Sequence, residues 1–390
     1  MSKKVLIVFP GIWIKKDEGQ KHRLNCHINE YKKAGFDVST LAFCKDALFS
    51  TESKHLNSNA KWIIRPYILP ITKCIIFTKI LQFYMKTIVA IHSWIGNYDV
   101  IQVELWGLRS CFCKNRGVKY IVDVHGDVVH EAKEVKNLPQ WYIDYCVKQQ
   151  KEFVGNADIC IVVSENLKKQ LEINTGNRIK DYVAISCGVD INRFTDAFKP
   201  DYKEQNLENR IVLGYCGGLQ KWQNFGQMVD LAIRLHKLDE RIFLMVYSNG
   251  DPTDYQKKLD ILGDENYFLK GLASKDVPGY LKLLDAGLLL RSDLILNKVS
   301  SPTKICEYLA AGVPMICTRH SGDYARSITN GINGFVADEP DFTEAEVKEL
   351  LQWLLKVKAN REEISSKCVK SVEDRTFEAE FNILANKLKE

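Results

Sequence analysis

The sequence predicts an α/β chain of two doubly wound domains, each built on a parallel sheet. Three observations carry this. The chain opens with an apolar run, a helix and a second apolar run (Val5–Phe9, Gly19–Ala34, Phe36–Phe43), the β-α-β unit of such a sheet. The same alternation restarts at Arg210–Tyr215, which runs into Gly217-Gly218-Leu219. And 390 residues exceed what one ordinary core holds, so two domains are expected.

Taken in order, Val5–Phe9 ends at Pro10-Gly11, as a buried parallel strand ends in its turn. Gly35 stops the first helix. Residues 53–98 contain no Asp or Glu, and carry Lys54, Lys61, Arg65, Lys73, Lys79 and Lys86 among Trp62, Tyr67, Phe77, Phe83, Tyr84 and Trp94. Two readings stand: a basic, aromatic surface that rests on an anionic membrane, or an ordinary helix pair with lysines on its wet side. Charges interrupt the apolar runs short of the ~18 residues that suggest a membrane span.

Strands follow at Asp99–Val103, Lys119–Val124, Asp158–Val163 and Tyr182–Ser186, with a helical stretch rich in Lys and Glu between the second and third. The polar tract Thr195–Asn209 reads as a linker. It divides the chain into domains 1–205 and 206–375. The second half offers strands Arg210–Tyr215, Ile242–Tyr247, Tyr267–Leu269, Ala286–Arg291 and Met315–Thr318. Helices are expected at Gln227–Leu238, Val277–Leu284, Glu344–Val357 and Thr376–Lys389. In the last, Phe377, Phe381, Leu384 and Leu388 form one stripe.

Bulk properties narrow the class. Hydrophobic residues make up 46% and charged residues 26%, as in a globular chain, and a net charge of +5 is too mild to point to nucleic acid. Twelve cysteines lie singly in apolar stretches, with Cys111 and Cys113 the one close pair and no CxxC. That pattern predicts a reducing, cytoplasmic setting and no structural zinc. The chain runs straight into a strand with no signal-peptide pattern.

The densest chemistry lies in Val299–Thr318 (VSSPTKICEYLAAGVPMICT). Ser301 reads as an N-cap, Pro302 as the first helical residue and Gly312 as the stop. Ile305 and Leu309 should face the core, while Thr303, Lys304 and Glu307 share another face. A helix start gathers free N–H groups and a dipole, so it suits a phosphate, and Lys304 adds charge there. One turn deeper, the Glu307 carboxylate would accept bonds from a diol. A phosphate and a diol one turn apart describe a nucleotide. Glu307 also fits a solvent-facing carboxylate paired with Lys304.

Ligands of open parallel sheets sit beyond the carboxyl ends of strands. Gly11, Glu104, His125, Gly217-Gly218, Ser248–Gly250, Arg291 and Asp293 fall there, which places the site in a cleft between domains. Gly217-Gly218 lets backbone approach a phosphate, with Lys221 following, or forms only a tight turn. His125 would contact a sugar hydroxyl or move a proton, or merely cap a strand end. Arg291 is either a ligand group or a structural ion pair. No GxGxxG follows the first strand, no GxxxxGK[ST] occurs, and no metal-ligand spacing stands out.

Together these segments resemble a family 4 glycosyltransferase, a retaining enzyme of GT-B architecture. The resemblance rests on VDVHGD, ADICIVVSENLKKQL, ISCGVDINRF and SSPTKICEYLAAGVPMI in that order, with GYCGGLQKW a weaker fifth. It implies two Rossmann-like domains facing a central cleft, the first on the acceptor side and joined by the last helix (376–390), the second holding the donor. By matching position, Glu307 binds the donor ribose, Gly217-Gly218 lies beside the diphosphate, and His125 contacts the transferred sugar. Two positions depart from the family. Its usual first glutamate is here Val299, for which Asp293 is a candidate substitute, and the arginine of its Gly-Arg-Leu loop is absent.

The expected function is transfer of a sugar, with retention, from a UDP- or GDP-linked donor to a hydroxyl of a glycan or lipid-linked glycan. Ser301, Thr303, Lys304, Gly217, Gly218 and Arg291 would hold the diphosphate, and Lys221, Lys304 and Arg291 would replace the lost charge. No cofactor and no metal is expected. The rival is a non-catalytic nucleotide-sugar-binding or scaffold subunit of a glycan assembly complex; an epimerase or phosphorylase of the same fold has no supporting motif. The chain is expected in the cytoplasm, peripheral to the inner face of a membrane.

Overall fold

The computed structural model describes residues 2–12, 19–44, 56–67, 74–105, 117–201 and 207–390. Cys111, Cys113, Lys54, Lys73 and the 202–206 part of the linker lie outside them. None of the ten described cysteines is in a disulfide. The chain divides into two compact units, residues 1–186 with 377–390, and residues 187–376.

The first unit carries one parallel sheet in the order β3-β2-β1-β4-β5-β6-β7. Its strands are β1 (Lys4–Ile12), β2 (Asp37–Cys44), β3 (Lys61–Pro66), β4 (Val100–Leu105), β5 (Lys119–Val124), β6 (Ile159–Val162) and β7 (Tyr182–Ala184). β1 lies at the centre, with Leu6 opposite Ser39 on one side and Ile101 on the other. The central strands are buried along their length because helices cover the sheet, so their sequences run apolar rather than alternating. The Phe377–Lys389 helix packs on the Gly19–Lys33 helix, where Phe381 meets Tyr31 edge-on at 4.7 Å. Its Phe381, Leu384 and Leu388 join the core of this unit, as the stripe predicts.

One strand of this unit is absent from the sequence reading, and one helix is longer than its reading as half of a helix pair. β3 is an edge strand whose Lys61 and half-exposed neighbours hide the period of two. The Ile75–Gly96 helix is unbroken, with Lys79 and Lys86 inside it. It is long and apolar enough to cross a membrane by length and composition, which corrects the expectation that charges keep every run too short.

The second unit carries a parallel sheet in the order β10-β9-β8-β11-β12-β13. Its strands are β8 (Ile211–Cys216), β9 (Ile242–Tyr247), β10 (Tyr267–Lys270), β11 (Ala286–Leu289), β12 (Met315–Thr318) and β13 (Gly334–Ala337). β13 was not anticipated, being four residues long and opened by glycine. Residues 187–201 belong here although the sequence division at 205/206 puts them in the first domain. Val189 and Phe194 pack into this unit's core, and that packing outweighs the polar composition around them.

The key helix runs Thr303–Ala310. It starts one residue later than predicted: Pro302 is the N-cap and makes no side-chain cap bond, while Ser301 Oγ accepts from Cys187 N at 3.2 Å. Ile305 and Leu309 are fully buried, and Gly312 follows the helix with φ +75°.

In each sheet the strand order reverses beside one central pair, β1 with β4 and β8 with β11. Those switch points are where ligands of this class of sheet bind.

Candidate functional site

In the second unit, β8 delivers Tyr215 and Cys216 to the switch point, and β11 leads into Arg291. Gly217 has φ +150°, a conformation that favours glycine. A Cβ there would fall 2.3 Å from Lys304 Cε and 2.8 Å from Nζ. The glycine turn and the helix start are therefore in contact, as a phosphate cradle requires. Tyr215 Oη donates to Gly218 O at 2.5 Å and fixes the turn, and the Lys304 ammonium lies 5.6 Å from the Tyr215 ring centre. Lys304 Nζ also donates to Gln223 Oε1 at 3.2 Å.

Arg291 is 8% exposed. Its Nη1 donates to Trp222 O (3.2 Å) and Asn297 Oδ1 (3.0 Å), while Nε has no hydrogen-bond partner. No carboxylate pairs with Arg291 among the described residues, so the ion-pair reading has no described partner. Burial, and then the charge of Arg291, hold the Lys304 ammonium down to about 8. Two cations thus meet at the switch point, and neither has an anion bonded to it among the described residues.

Glu307 lies one turn below Lys304, half-buried, and makes no hydrogen bond or ion pair with a described residue. Burial raises its carboxyl pKa, against the attraction of Arg193 and Lys304. It is neither fully solvent-facing nor paired with Lys304. The Cys216 thiol, within the field of Glu307 and Lys304, is pushed up to about 12 by burial.

The remaining predicted residues separate. Lys221 is exposed on a short turn, Lys221–Gln223, and has no ion-pair partner among the described residues. Thr303 is exposed at the helix start, and Ser301 is buried with its hydroxyl on Cys187. Val299 is 3% exposed, so an apolar side chain fills the place of the usual glutamate. Asp293 is exposed and paired with Lys298, which removes the basis for treating it as a substitute.

The first unit has its own charged site at its switch point. His125, just past β5, sets Nε2 2.5 Å from Glu104 Oε2 at the end of β4 and 3.0 Å from Asp123 Oδ2. Arg23 grips Asp123 through Nε (3.1 Å) and Nη2 (2.9 Å). Burial disfavours a charged ring, but the two carboxylates overcome it and raise His125 to about 10. Burial holds His27, beside them, neutral at about 3. Burial raises the Glu104 carboxyl while the charge of His125 opposes it, and both carboxylates lie on one nitrogen, so His125 Nδ1 is without a described partner. Asp127 accepts from Val129 N and His130 N and fixes the turn that follows. Glu104, Asp123 and His125 bring ligand-type atoms within 4.8 Å of one another. Arg23 bonds both Asp123 oxygens and His125 faces both carboxylates, so these groups form a buried ion-pair network.

Sequence reasoning missed Arg23, Asp123, Arg193 and Gln223. Asp123 and Arg193 lie inside motifs it quoted. Arg193, which donates to Ser274 Oγ at 3.2 Å and whose charge acts on Glu307, had a signal in its place beside Phe194. Arg23 and Gln223 had none, because only the fold brings them in.

Two family models match the chain. Residues 23–193 match Glycosyltransferase Family 4 and residues 198–370 match Glycosyl transferases group 1. The putative teichuronic acid biosynthesis glycosyltransferase TuaH of Bacillus subtilis is 29% identical over 171 residues, 42% of this chain and 41% of TuaH. An uncharacterized glycosyltransferase of Methanocaldococcus jannaschii, MJ1069, is 25% identical over 280 residues, 66% of this chain and 67% of that one. The chain thus spans under half of TuaH and about two thirds of MJ1069. The crystal structure of HepE from Anabaena in complex with UDP superposes with a TM-score of 0.68 over 99% of both chains, at 15% identity.

Proposed function

The chain belongs to the family 4 glycosyltransferases, with the two parallel sheets of the GT-B fold, and from that premise we propose that it moves a sugar from a nucleoside diphosphate sugar to a hydroxyl of a glycan or lipid-linked glycan, with retention. The observation that carries the donor reading is Lys304 against Gly217 at the turn after β8, with the charge of Arg291 acting on it and no anion bonded to either cation among the described residues. A half-buried lysine beside a buried arginine is costly unless an anion joins them, and a diphosphate with its two to three charges supplies one. That HepE is described with UDP fits this reading.

Lys304, the helix start at Thr303 and the Gly217-Gly218 turn hold the diphosphate. As the sugar bond breaks, the leaving phosphate gains negative charge, and Lys304 and Arg291 meet that charge without a metal ion. Glu307 accepts from the ribose hydroxyls. Its raised pKa favours such donors, because hydroxyls bonding to a half-buried carboxylate restore the solvation that burial removed. His125 presents Nδ1–H to an oxygen of the transferred sugar. No carboxylate is proposed as nucleophile; the leaving phosphate takes the acceptor proton. The acidic-residue-free stretch 53–98 supports a cytoplasmic chain that works at the inner face of a membrane, where a lipid-linked acceptor resides.

The rival scaffold reading draws on buried Val299, which supplies no donor-sugar contact of the kind a glutamate would make. Calorimetric titration with UDP and GDP tests the donor site. One of them should bind to the wild type and bind about tenfold or more weakly to Lys304→Ala, the loss expected for a charge-assisted contact. Equal affinity in both proteins would remove Lys304 from the site.

A further inference from the structure

We propose that the Ile75–Gly96 helix docks this chain side-on to an anionic lipid bilayer, with the stripe through Ile76, Ile80, Phe83, Ile91 and Trp94 as the embedded face. These positions recur at helical spacing, so they share one side. Phe83 is 75% exposed and Trp94 83%. Eight of the fifteen exposed large hydrophobic residues among those described lie on this single helix, which is not how stray apolar residues scatter. The opposite side, with Leu81, Met85 and Val89, is buried against the first unit.

That burial decides between crossing a membrane and lying on it. The helix passes a length and composition test for crossing. But Tyr145 Oη donates to Gln82 Oε1 at 2.5 Å, Tyr84 Oη donates to Pro66 O at 3.3 Å, and Lys86 pairs with Glu152 at 3.4 Å. A helix keyed to its own domain along one side offers lipid only the other, so it lies in the interface plane.

Charge decides between lipid and a second copy of the chain. Lys79 flanks the stripe and is exposed, Lys61 and Arg65 stand on the neighbouring β3, and residues 53–98 hold no acid. Two copies face to face would bring like charges together, whereas anionic headgroups complement them. The inference rests on the membrane-borne acceptor read above, and it names the surface that meets the lipid.

The test is sedimentation of the full chain with vesicles of phosphatidylcholine alone and of phosphatidylcholine with phosphatidylglycerol. The wild type should sediment with the anionic vesicles, and Phe83→Ser/Trp94→Ser should bind about tenfold or more weakly. Ile76→Ser/Ile80→Ser should weaken binding as well, and both variants should melt like the wild type. Failure of the wild type to bind, or undiminished binding by both variants, would overturn the proposal. So would a vesicle-free dimer that the Phe83→Ser/Trp94→Ser change dissolves, since it assigns the stripe to a second copy. Nucleotide release from a donor without acceptor should be unchanged in that variant. If vesicle binding behaves as stated while no donor is ever turned over, the docking stands and the transferase reading fails by itself.

Discussion

Lys304 crosses Gly217 so closely that a side chain on the glycine would occupy the lysine's own place, 2.3 Å from its Cε. The two ends of the candidate site, the turn after β8 and the start of the Thr303–Ala310 helix, are in contact through this pair. Gly217→Ala should therefore destabilise the second unit by about 1–3 kcal/mol, from the positive φ together with the clash. In a Lys304→Ala background the clash is gone and part of the loss should return. Thermal melts of the four proteins check this; equal losses in both backgrounds would mean that the lysine moves aside freely.

Partial burial first, and then the charge of Arg291, hold the Lys304 ammonium down to about 8, below the ordinary lysine value. Only the protonated form attracts a diphosphate. Affinity for the nucleoside diphosphate should fall as pH rises from 7 to 9, with protons taken up on binding near pH 8. Lys304→Arg keeps its charge through this range and should flatten the slope. Titrations in buffers of different ionisation enthalpy measure both quantities, and a flat profile in the wild type would contradict the assignment.

His125 is held charged, up to about 10, because the Glu104 and Asp123 carboxylates overcome its burial. Its pKa in the folded chain lies above the unfolded value near 6.5, so its stabilising contribution is full below about 6.5 and is lost as pH rises through 10. Glu104→Gln should bring the His125 titration down toward neutrality, with Asp123, Arg23 and His27 still facing the ring. Turnover of that variant should then fall more steeply between pH 7 and 9 than that of the wild type, whose own fall follows Lys304. Nuclear magnetic resonance of the ring protons gives the pKa directly, and an unmoved titration would show that Asp123 alone sets it.

How much of this was legible depends on how local the signal is. The alternating strands and helices, the Ile305 and Leu309 core positions, the Phe381–Leu388 stripe and the Gly312 stop come from periodicity and single-residue chemistry, and the structure has them. β3 and β13 were hidden because an edge strand and a four-residue strand carry little period. The Ser301 cap was misplaced by one residue, since its hydroxyl serves Cys187, more than a hundred positions away in sequence. Positions were legible where a motif holds its own residues: Gly217, Lys304, Glu307 and His125 stand at the strand ends and on the helix where the sequence puts them. The site was not legible where distant chain converges. Nothing in the sequence says that Arg23 will grip Asp123, that Gln223 will receive Lys304, or that Glu104 will share the His125 nitrogen.

The central claim is that the switch point between β8 and β11 holds a sugar donor for transfer. It is tested most directly by nucleotide release from a panel of uridine and guanosine diphosphate sugars, run with the wild type and with folded Glu307→Ala. The account predicts that one donor is turned over, that its sugar is freed with its anomeric configuration kept, and that Glu307→Ala lowers the rate about a hundredfold or more, as loss of a contact to the ribose and the charge beside it would. Release at equal rates from the wild type and Glu307→Ala would contradict it.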